Sequence, residues 1–313
     1  MDRDRWILQQ RLPREILDPQ KPQAFFVEDE AAASGEIIPV ATIFLTNREC
    51  PWRCVMCDLW RNTLTTTAPP GAIPAQIDFA LGQLPAARAL KLYNSGSFFD
   101  ARAIPVENHR AIADRANEFD RLIVESHPAL VDEKVLRFRD RLRCRLEVAM
   151  GLETVHPEIL LRLNKRMTLE QFASAAGFLR AHDIDLRVFI LVQPPFMEPC
   201  DALHWAERSL DFAFDCGATA ATLIPTRGGN GAMETLAANG EFAPPNIATL
   251  EAAVSYGLSL KRGRVFADLW DADKIPGCVE PRIARLREMN LLQIDQAPQH
   301  CAICIATNSL SDG

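Results

Sequence analysis

Short apolar runs alternate with longer amphipathic runs along most of this chain, and this alternation limits the folds that it can adopt. Six apolar runs have the length and composition of buried strands: 37–45, 89–93, 122–124, 144–150, 186–192 and 219–224. The runs between them show helical spacing, as in 169–179, where Phe172, Ala175 and Leu179 share one face. Strands that alternate with helices form βα units with right-handed crossovers. The sequence therefore predicts an α/β fold with a parallel sheet.

Three cysteines, Cys50, Cys54 and Cys57, follow the first predicted strand in the stretch Cys-Pro-Trp-Arg-Cys-Val-Met-Cys. Three thiolates at this spacing can hold a [4Fe–4S] cluster and leave one iron with an open coordination position. The carboxyl end of a parallel strand is also where barrel and open α/β folds carry their chemistry. A structural zinc site is the alternative, but zinc usually takes paired Cys-x-x-Cys units and this loop offers one.

The charge and composition of the chain restrict its partners and its compartment. A net charge of −7 argues against a broad, nonspecific nucleic-acid surface, although a local basic patch remains possible. The charged start of the chain lacks the apolar core of a signal peptide, and no apolar run of about 18 residues predicts a membrane span. Nine cysteines, an odd and sparse set, favour a reducing compartment. We therefore expect a cytoplasmic protein without a membrane partner.

With this cysteine spacing the chain resembles the radical S-adenosylmethionine (SAM) superfamily. In that superfamily the open iron binds the amino and carboxylate groups of SAM, and an electron from the cluster cleaves the sulfonium. Methionine and a 5′-deoxyadenosyl radical result, and the radical abstracts hydrogen from a substrate. The resemblance implies a partial (β/α)6 TIM-like barrel over 37–270, with an N-terminal extension (1–36) and a C-terminal cysteine-containing tail (271–313). Within the extension the sequence predicts a short helix over 6–17 and a small-residue linker over 31–35. It also implies that Met56 contacts adenine through its backbone.

The end of the second predicted strand matches the position where the superfamily binds the amino group of SAM. Ser95, Gly96 and Ser97 stand where the superfamily carries Gly-Gly-Glu or a variant. Small residues at a strand end let backbone groups approach a ligand closely. An ordinary β-turn is the alternative, but next to the cysteines ligand contact is favoured.

Charged residues after the third and fourth predicted strands match two further SAM contacts of the superfamily. By that match Glu125 and Glu153 would accept hydrogen bonds from ribose hydroxyls or the methionine amine. Arg166 would clamp the methionine carboxylate with its guanidinium fork. The alternative is surface ion pairing among Glu153, Lys165 and Arg166.

Three more residues are candidate substrate contacts at strand ends. His127 follows the third strand, where the resemblance leads us to expect arginine. Arg227 and Asn230 lie in the glycine-rich run after the sixth strand. This run lacks the Gly-Lys-Ser/Thr ending of a P-loop, so a phosphate-binding loop of that type is not predicted.

Five arginines form the densest positive stretch of the chain: Arg137, Arg139, Arg141, Arg143 and Arg145. They could contact RNA phosphates. The neighbouring acidic residues favour the alternative of a solvated helix face. Their position before the fourth strand also places them near the end of the barrel opposite the cysteines.

A second set of metal ligands is a candidate in the tail. Cys301 and Cys304 form a Cys-x-x-Cys unit that follows His300, and Cys278 could join them. Such ligands could hold zinc or an auxiliary iron–sulfur cluster. Tail thiols without a metal are the alternative.

Four segments narrow the resemblance to the subgroup of the Elongator catalytic subunit, and within it to the radical SAM subunit of archaeosine synthase. They are Asn-Ser-Gly-Ser-Phe-Phe-Asp, Val-Glu-Ser-His-Pro, Gly-Leu-Glu-Thr and Pro-Pro-Phe. The resemblance implies a lyase or transferase that modifies a nucleoside in tRNA, either alone or with a tRNA-binding partner protein. In that family the nucleoside is a lysine-modified deazaguanine, of which a carbon–nitrogen bond is cleaved. It also implies a reductant such as flavodoxin or ferredoxin. The alternatives are radical modification of a small molecule or peptide with an auxiliary metal site, and a non-catalytic zinc-binding module.

Overall fold

Eight strands form one sheet in the part of the chain that the structure describes, a computed structural model of residues 2–276 and 279–297. They are β1 (Ala24–Ala31), β2 (Ile37–Phe44), β3 (Ala89–Tyr93), β4 (Arg121–Glu125), β5 (Arg145–Glu153), β6 (Asp185–Val192), β7 (Ala220–Pro225) and β8 (Arg264–Ala267). Their order in the sheet is their order in the chain. β1 is antiparallel to β2, and all later neighbours pair in parallel.

Helices connect the parallel strands and cover the outer face of the sheet. They are α1 (Arg3–Gln10), α2 (Ala72–Leu81), α3 (His109–Ala116), α4 (Glu133–Arg139), α5 (Pro157–Arg162), α6 (Leu169–Ala181), α7 (Ala202–Asp215), α8 (Ala232–Ala238), α9 (Ile247–Ser259) and α10 (Val279–Leu292). Phe172 and Leu179 of α6 are fully buried in the core between sheet and helices. The apolar face predicted for 169–179 is therefore the face that packs on the sheet.

The sheet curls into a partial barrel that stays open between β1 and β8. Contacts across its interior show the curl, because Glu30 on β1 forms an ion pair with Arg187 on β6 at 2.5 Å. The predicted α/β class and partial TIM-like barrel are confirmed, and the six predicted strands correspond to β2–β7. None of the helices within the two described ranges has the length and apolar character needed to cross a membrane.

Two strands and one helix boundary differ from the prediction. β1 reads Ala-Phe-Phe-Val-Glu-Asp-Glu-Ala, so its acidic residues hide it from a search for apolar runs, and β8 has only four residues. The predicted helix over 6–17 ends at Gln10 instead. Pro13 explains the early end, because proline disfavours helical backbone at the residue before it. The predicted linker over 31–35 is the turn between β1 and β2, with Gly35 at a φ of 83°.

A charged network fills the barrel interior below the carboxyl ends of the strands. Glu147 accepts from Arg187 at 2.6 Å, Arg121 at 2.7 Å and Arg264 at 3.0 Å. Lys91 contacts Glu30 at 2.5 Å. The Glu147 side chain is fully buried, and these partners satisfy it there, as buried charge requires.

Candidate active site

The cluster loop, defined here as residues 45–64, begins at the carboxyl end of β2 and carries Cys50, Cys54 and Cys57. The three thiols are free and partly buried. Burial, with repulsion from a neighbouring thiol in each case, raises the pKa of each to about 12. The thiols therefore lie near one another and stay protonated at neutral pH. Because thiolates are the form that binds iron, binding of an iron–sulfur cluster here would release these protons.

Two asparagines, the buried Asn230 and the half-buried Asn164, fix the backbone of the cluster loop. Asn230 donates from Nδ2 to the carbonyl oxygens of Val55, at 2.7 Å, and Cys57, at 3.1 Å. Asn164 donates from Nδ2 to the carbonyl oxygen of Arg53 at 2.7 Å. Asn230, a candidate substrate contact from the sequence, thus lies in the structure as an anchor of the loop.

Helix α1 lies against the same loop. Asp4 accepts a hydrogen bond from Asn164 Nδ2 at 2.7 Å. Ile7 is buried beside Val55 of the cluster loop and Met233 of α8. The amino-terminal helix thus covers the loop from the side of α8, an arrangement for which the sequence offered no signal.

The turn after β3 lies directly beside the cysteines. A Cβ atom at Gly96 would lie 3.2 Å from the Cβ of Cys50, so glycine permits this close approach. Glu125 at the end of β4 accepts from the backbone N–H groups of Asn94, at 2.6 Å, and Gly96, at 3.3 Å. Burial raises the pKa of Glu125 to about 7, although these N–H groups favour the charged form. Ser95 adopts a left-handed φ of 52°.

Asn94 is a further polar residue of this turn that the sequence did not single out. Its side chain is fully buried, and neither its side-chain oxygen nor its side-chain nitrogen has a hydrogen-bond partner among the residues that the structure describes. An unpaired buried amide is costly in a folded protein, so water or a ligand group is expected to bind there.

A buried ion pair connects the end of β5 to the cysteines. Lys165 donates from Nζ to Glu153 at 2.5 Å. A Cβ atom at Gly151 would collide with both side-chain ends, so glycine makes room for the pair. Burial disfavours the charged form of Lys165, but Glu153 and the thiols of Cys54 and Cys50 outweigh it and raise its pKa. The pair thus places a permanent positive charge beside the thiols.

Arg166, the predicted carboxylate clamp, lies on the other side of this segment. Its guanidinium donates to Asp4 at 2.8 Å and its side chain is 55% exposed. Lys165, which the sequence suggested only as an ion-pair partner, is a buried cation beside the cysteines. Arg53 of the cluster loop is a second cation there, and its guanidinium donates to the carbonyl oxygen of Cys50 at 2.6 Å. The left-handed φ of 56° at Arg166 and of 58° at Asn164 turns the backbone on both sides of Lys165.

His127 stacks on Trp52 of the cluster loop, with ring centroids 3.8 Å apart. Its Nδ1 accepts from the N–H of Ala129, so Nε2–H donates to the carbonyl oxygen of Lys165 at 3.0 Å. Ser97 Oγ accepts from the backbone N–H of His127 at 2.8 Å. Burial, followed by the charge of Lys165, lowers the pKa of His127 to about 4. The imidazole is therefore neutral at pH 7 and links the turn after β3 to the cluster loop.

The remaining predicted site residues lie around the same rim or outside the described residues. Met56 packs between two small apolar clusters, one of which contains Ile7. Arg227 pairs with Asp268 at 2.8 Å. Cys278, Cys301 and Cys304 lie outside the described residues, so a second metal site stays a prediction.

The donors of the cluster loop suit an iron–sulfur cluster. Three free, partly buried thiols lie on one loop, and the ammonium of Lys165 lies beside them to balance thiolate charge. Across residues 2–276 and 279–297, no three His, Cys, Asp or Glu side chains are arranged to hold a single metal ion.

Two solved structures illustrate the folds to which this chain is similar. The Elp3 protein of Methanocaldococcus infernus, with an N-terminal deletion, matches this chain with a TM-score of 0.48 at 17% identity. The match covers 66% of this chain and 52% of the Elp3 chain. The radical SAM methyltransferase TsrM of Kitasatospora setae matches with a TM-score of 0.44 at 19% identity. This match covers 57% of this chain and 35% of the TsrM chain. No protein-family model matches the chain.

Several curated proteins have sequences similar to that of this chain. An uncharacterized protein of Methanocaldococcus jannaschii is 25% identical over 248 residues, or 74% of this chain and 68% of that protein. Archaeosine synthase subunit beta of Methanosarcina acetivorans is 28% identical over 162 residues, or 50% of this chain and 47% of the subunit. The resemblance to this subunit that the motifs predicted is confirmed. The match spans less than half of the subunit's length.

Proposed function

We propose that this chain is a radical SAM enzyme that reductively cleaves SAM at a [4Fe–4S] cluster held by Cys50, Cys54 and Cys57. The observation that carries the proposal is the position of three free thiols beside the buried ammonium of Lys165, at the carboxyl ends of parallel strands. When bound, the cluster supplies the electron that cleaves SAM, which yields the radical that abstracts hydrogen from substrate.

The side chains around the loop have distinct parts in this proposal. Lys165 offers a buried positive charge to the carboxylate of SAM, and Glu153 fixes its position. Glu125 orders the turn that the resemblance assigns to the amino group of SAM. Asn230 holds the loop that carries the cysteines. These contacts preorganise the site, so that binding does not have to order the loop.

We propose a modified nucleoside in tRNA as the substrate class. The support is the sequence similarity to archaeosine synthase subunit beta. A flavodoxin or ferredoxin would deliver the electron to the cluster.

Formation of 5′-deoxyadenosine by the anaerobically purified and reconstituted protein tests both parts. After reduction with dithionite, we expect the product from SAM alone, and faster formation by about tenfold with tRNA that carries the lysine-modified deazaguanine. Cys54→Ala should form none. A reconstituted iron–sulfur protein that forms no 5′-deoxyadenosine would contradict the enzyme proposal. If tRNA changes neither rate nor product, only the substrate proposal fails.

A further inference from the structure

A cavity of about 80 Å³ lies on the outer face of the barrel, between the segment that follows β3 and helix α4. Phe99, Ile104 and Val106 give it an apolar wall. Val106 leaves 54% of its surface exposed, which is unusual for a residue on a cavity wall. The basic side chains of Arg137 and Arg141 line the rest.

His109 adds one polar group to this apolar wall. The residue is only 6% exposed, and its Nε2 atom is buried without a hydrogen-bond partner in the described part of the chain. Its ring stacks on Phe98, with centroids 5.5 Å apart. Burial, followed by the charge of Arg141, lowers the pKa of His109 to about 4. The neutral ring can therefore exchange a hydrogen bond with a ligand that enters the cavity.

Four arginines of the basic stretch divide into two groups, and the fifth, Arg143, is exposed and does not line the cavity. Arg139 pairs with Asp140 at 2.8 Å, and Arg145 pairs with Asp185 at 3.0 Å. Arg137 and Arg141 are exposed, and their guanidinium groups have no hydrogen-bond or ion-pair partner among the described residues. The solvated-face interpretation thus fits the first group, while the second presents free cations to the cavity.

The cavity shares two chain segments with the candidate active site. Phe99 of the cavity wall comes two residues after Ser97, which contacts His127. On the other side, the chain passes from His127 into α4, where Lys134 and Arg137 line the cavity. These two segments connect the cavity to the candidate active site through the chain.

We propose that this cavity binds one unstacked nucleotide of an RNA strand, whose phosphates contact Arg137 and Arg141. The apolar wall suits the face of a base, His109 can bond a base edge, and the two guanidinium groups suit phosphate. An acidic peptide would use the cations but leave the flat apolar wall without a matching group. The inference rests on the proposed function only in taking RNA as the substrate class.

Binding of a fluorescent single-stranded RNA to the reconstituted protein, followed by anisotropy over a series of salt concentrations, tests the inference. For Arg137→Glu/Arg141→Glu we expect affinity to fall at least about tenfold, and the log–log salt slope to decrease by about 1.4, or about 0.7 per phosphate contact. The control Arg208→Glu/Arg287→Glu reverses two exposed arginines on α7 and α10 and should change affinity by less than about twofold. His109→Leu should weaken binding without a change in slope.

Three results would overturn the inference. Equal losses in the two double variants would show a general effect of net charge. Competition by free mononucleotide at the same concentration as RNA would indicate a small-molecule site, and equal competition by a poly-glutamate peptide would indicate a protein partner. Formation of 5′-deoxyadenosine from SAM alone should be unchanged in Arg137→Glu/Arg141→Glu. Failure of the unaltered protein to form 5′-deoxyadenosine would instead contradict the proposed function.

Discussion

Lys165 and Arg166 are adjacent in the chain but serve opposite sides of the loop that contains them. Lys165 is buried with Glu153 near Cys50 and Cys54, whereas Arg166 contacts Asp4 at the surface. The left-handed backbone at Arg166 produces this separation. Non-glycine residues with left-handed backbone angles are uncommon, and they occur most often at functional sites. The geometry therefore makes Lys165 the better candidate for the SAM carboxylate.

Replacement of each basic residue distinguishes the two assignments. Lys165→Gln should weaken SAM binding by about 10- to 100-fold, because a charged hydrogen bond is worth about 1.5–3 kcal/mol. Arg166→Gln is the matched control and should change the SAM dissociation constant by less than about threefold. The measurement is SAM binding to the reconstituted protein by calorimetry, with iron content determined for each variant. The reverse order of effects would restore Arg166 as the clamp.

The cysteines could be found from the sequence, whereas the residues that hold their loop could not. A spacing of three cysteines within one loop is local information. Asn230 and Val55 are 175 positions apart, and Asn164 and Asp4 are 160 apart, so only the folded chain brings them together. Gly151 was a usable signal, since a glycine near a strand end often marks the close approach of another group.

Among the secondary-structure elements, α1 makes contacts with the cluster loop that the sequence did not predict. It buries Ile7 against Val55 of the cluster loop, and Asp4 joins it to Asn164. A short helix has little stability of its own, so these contacts keep it in place and fix the loop in return. The helix pattern from 6 to 17 predicted a helix here, but its partner was not visible in the sequence.

Two substitutions on this helix test whether it supports the cluster. Ile7→Asp buries an unpaired charge against the loop, and we expect iron to be lost to a chelator at least about tenfold faster. Leu8→Asp, at the next position with 47% of its surface exposed, should leave the rate within about twofold. Iron release followed by absorbance of the chelate gives both rates. Equal rates in the two variants would show that α1 does not stabilise the loop.

The six predicted strands could be found because they are short apolar runs that alternate with helical patterns. β8 has four residues and begins at the charged Arg264, and Glu28 and Glu30 interrupt the apolar run of β1. Glu30 makes sense only in the folded sheet, where Arg187 and Lys91 reach it across the barrel. A buried charged network is thus the feature of this fold that an apolar pattern cannot reveal.

At the scale of the whole molecule, the buried charged network connects β1 to β3 and β6 across the barrel interior. The barrel itself is not closed, because β1 and β8 do not pair with each other. Burial disfavours the Glu147 carboxylate, but Arg187, Arg264 and Arg121 outweigh it and lower its pKa to about 2. Its stabilisation of the fold is therefore present above the ordinary value of 4.5 and is lost as pH falls toward 2. The protein should accordingly lose stability in acid over this interval.

Glu147→Gln should lower the free energy of unfolding by about 3–5 kcal/mol at pH 7, because three guanidinium groups lose their shared carboxylate. Its stability should also fall less steeply than that of the unaltered protein between pH 4.5 and 2. Glu36→Gln, which removes an exposed partner of Arg88, is the control and should cost less than about 1 kcal/mol. Urea unfolding gives the free energy of unfolding of the two variants and of the unaltered protein. A cost below about 1 kcal/mol for Glu147→Gln would contradict a structural role for the network.

Electron paramagnetic resonance of the reduced, reconstituted protein, recorded with and without SAM, tests most directly whether three cysteines leave one iron open. We expect the spectrum of a [4Fe–4S] cluster to change when SAM is added, and magnetic coupling from isotopically labelled SAM to appear at one iron. The change should be lost in Cys50→Ala, Cys54→Ala or Cys57→Ala. A cluster whose spectrum stays the same with saturating SAM, because a protein side chain already ligates the fourth iron, would contradict the proposal.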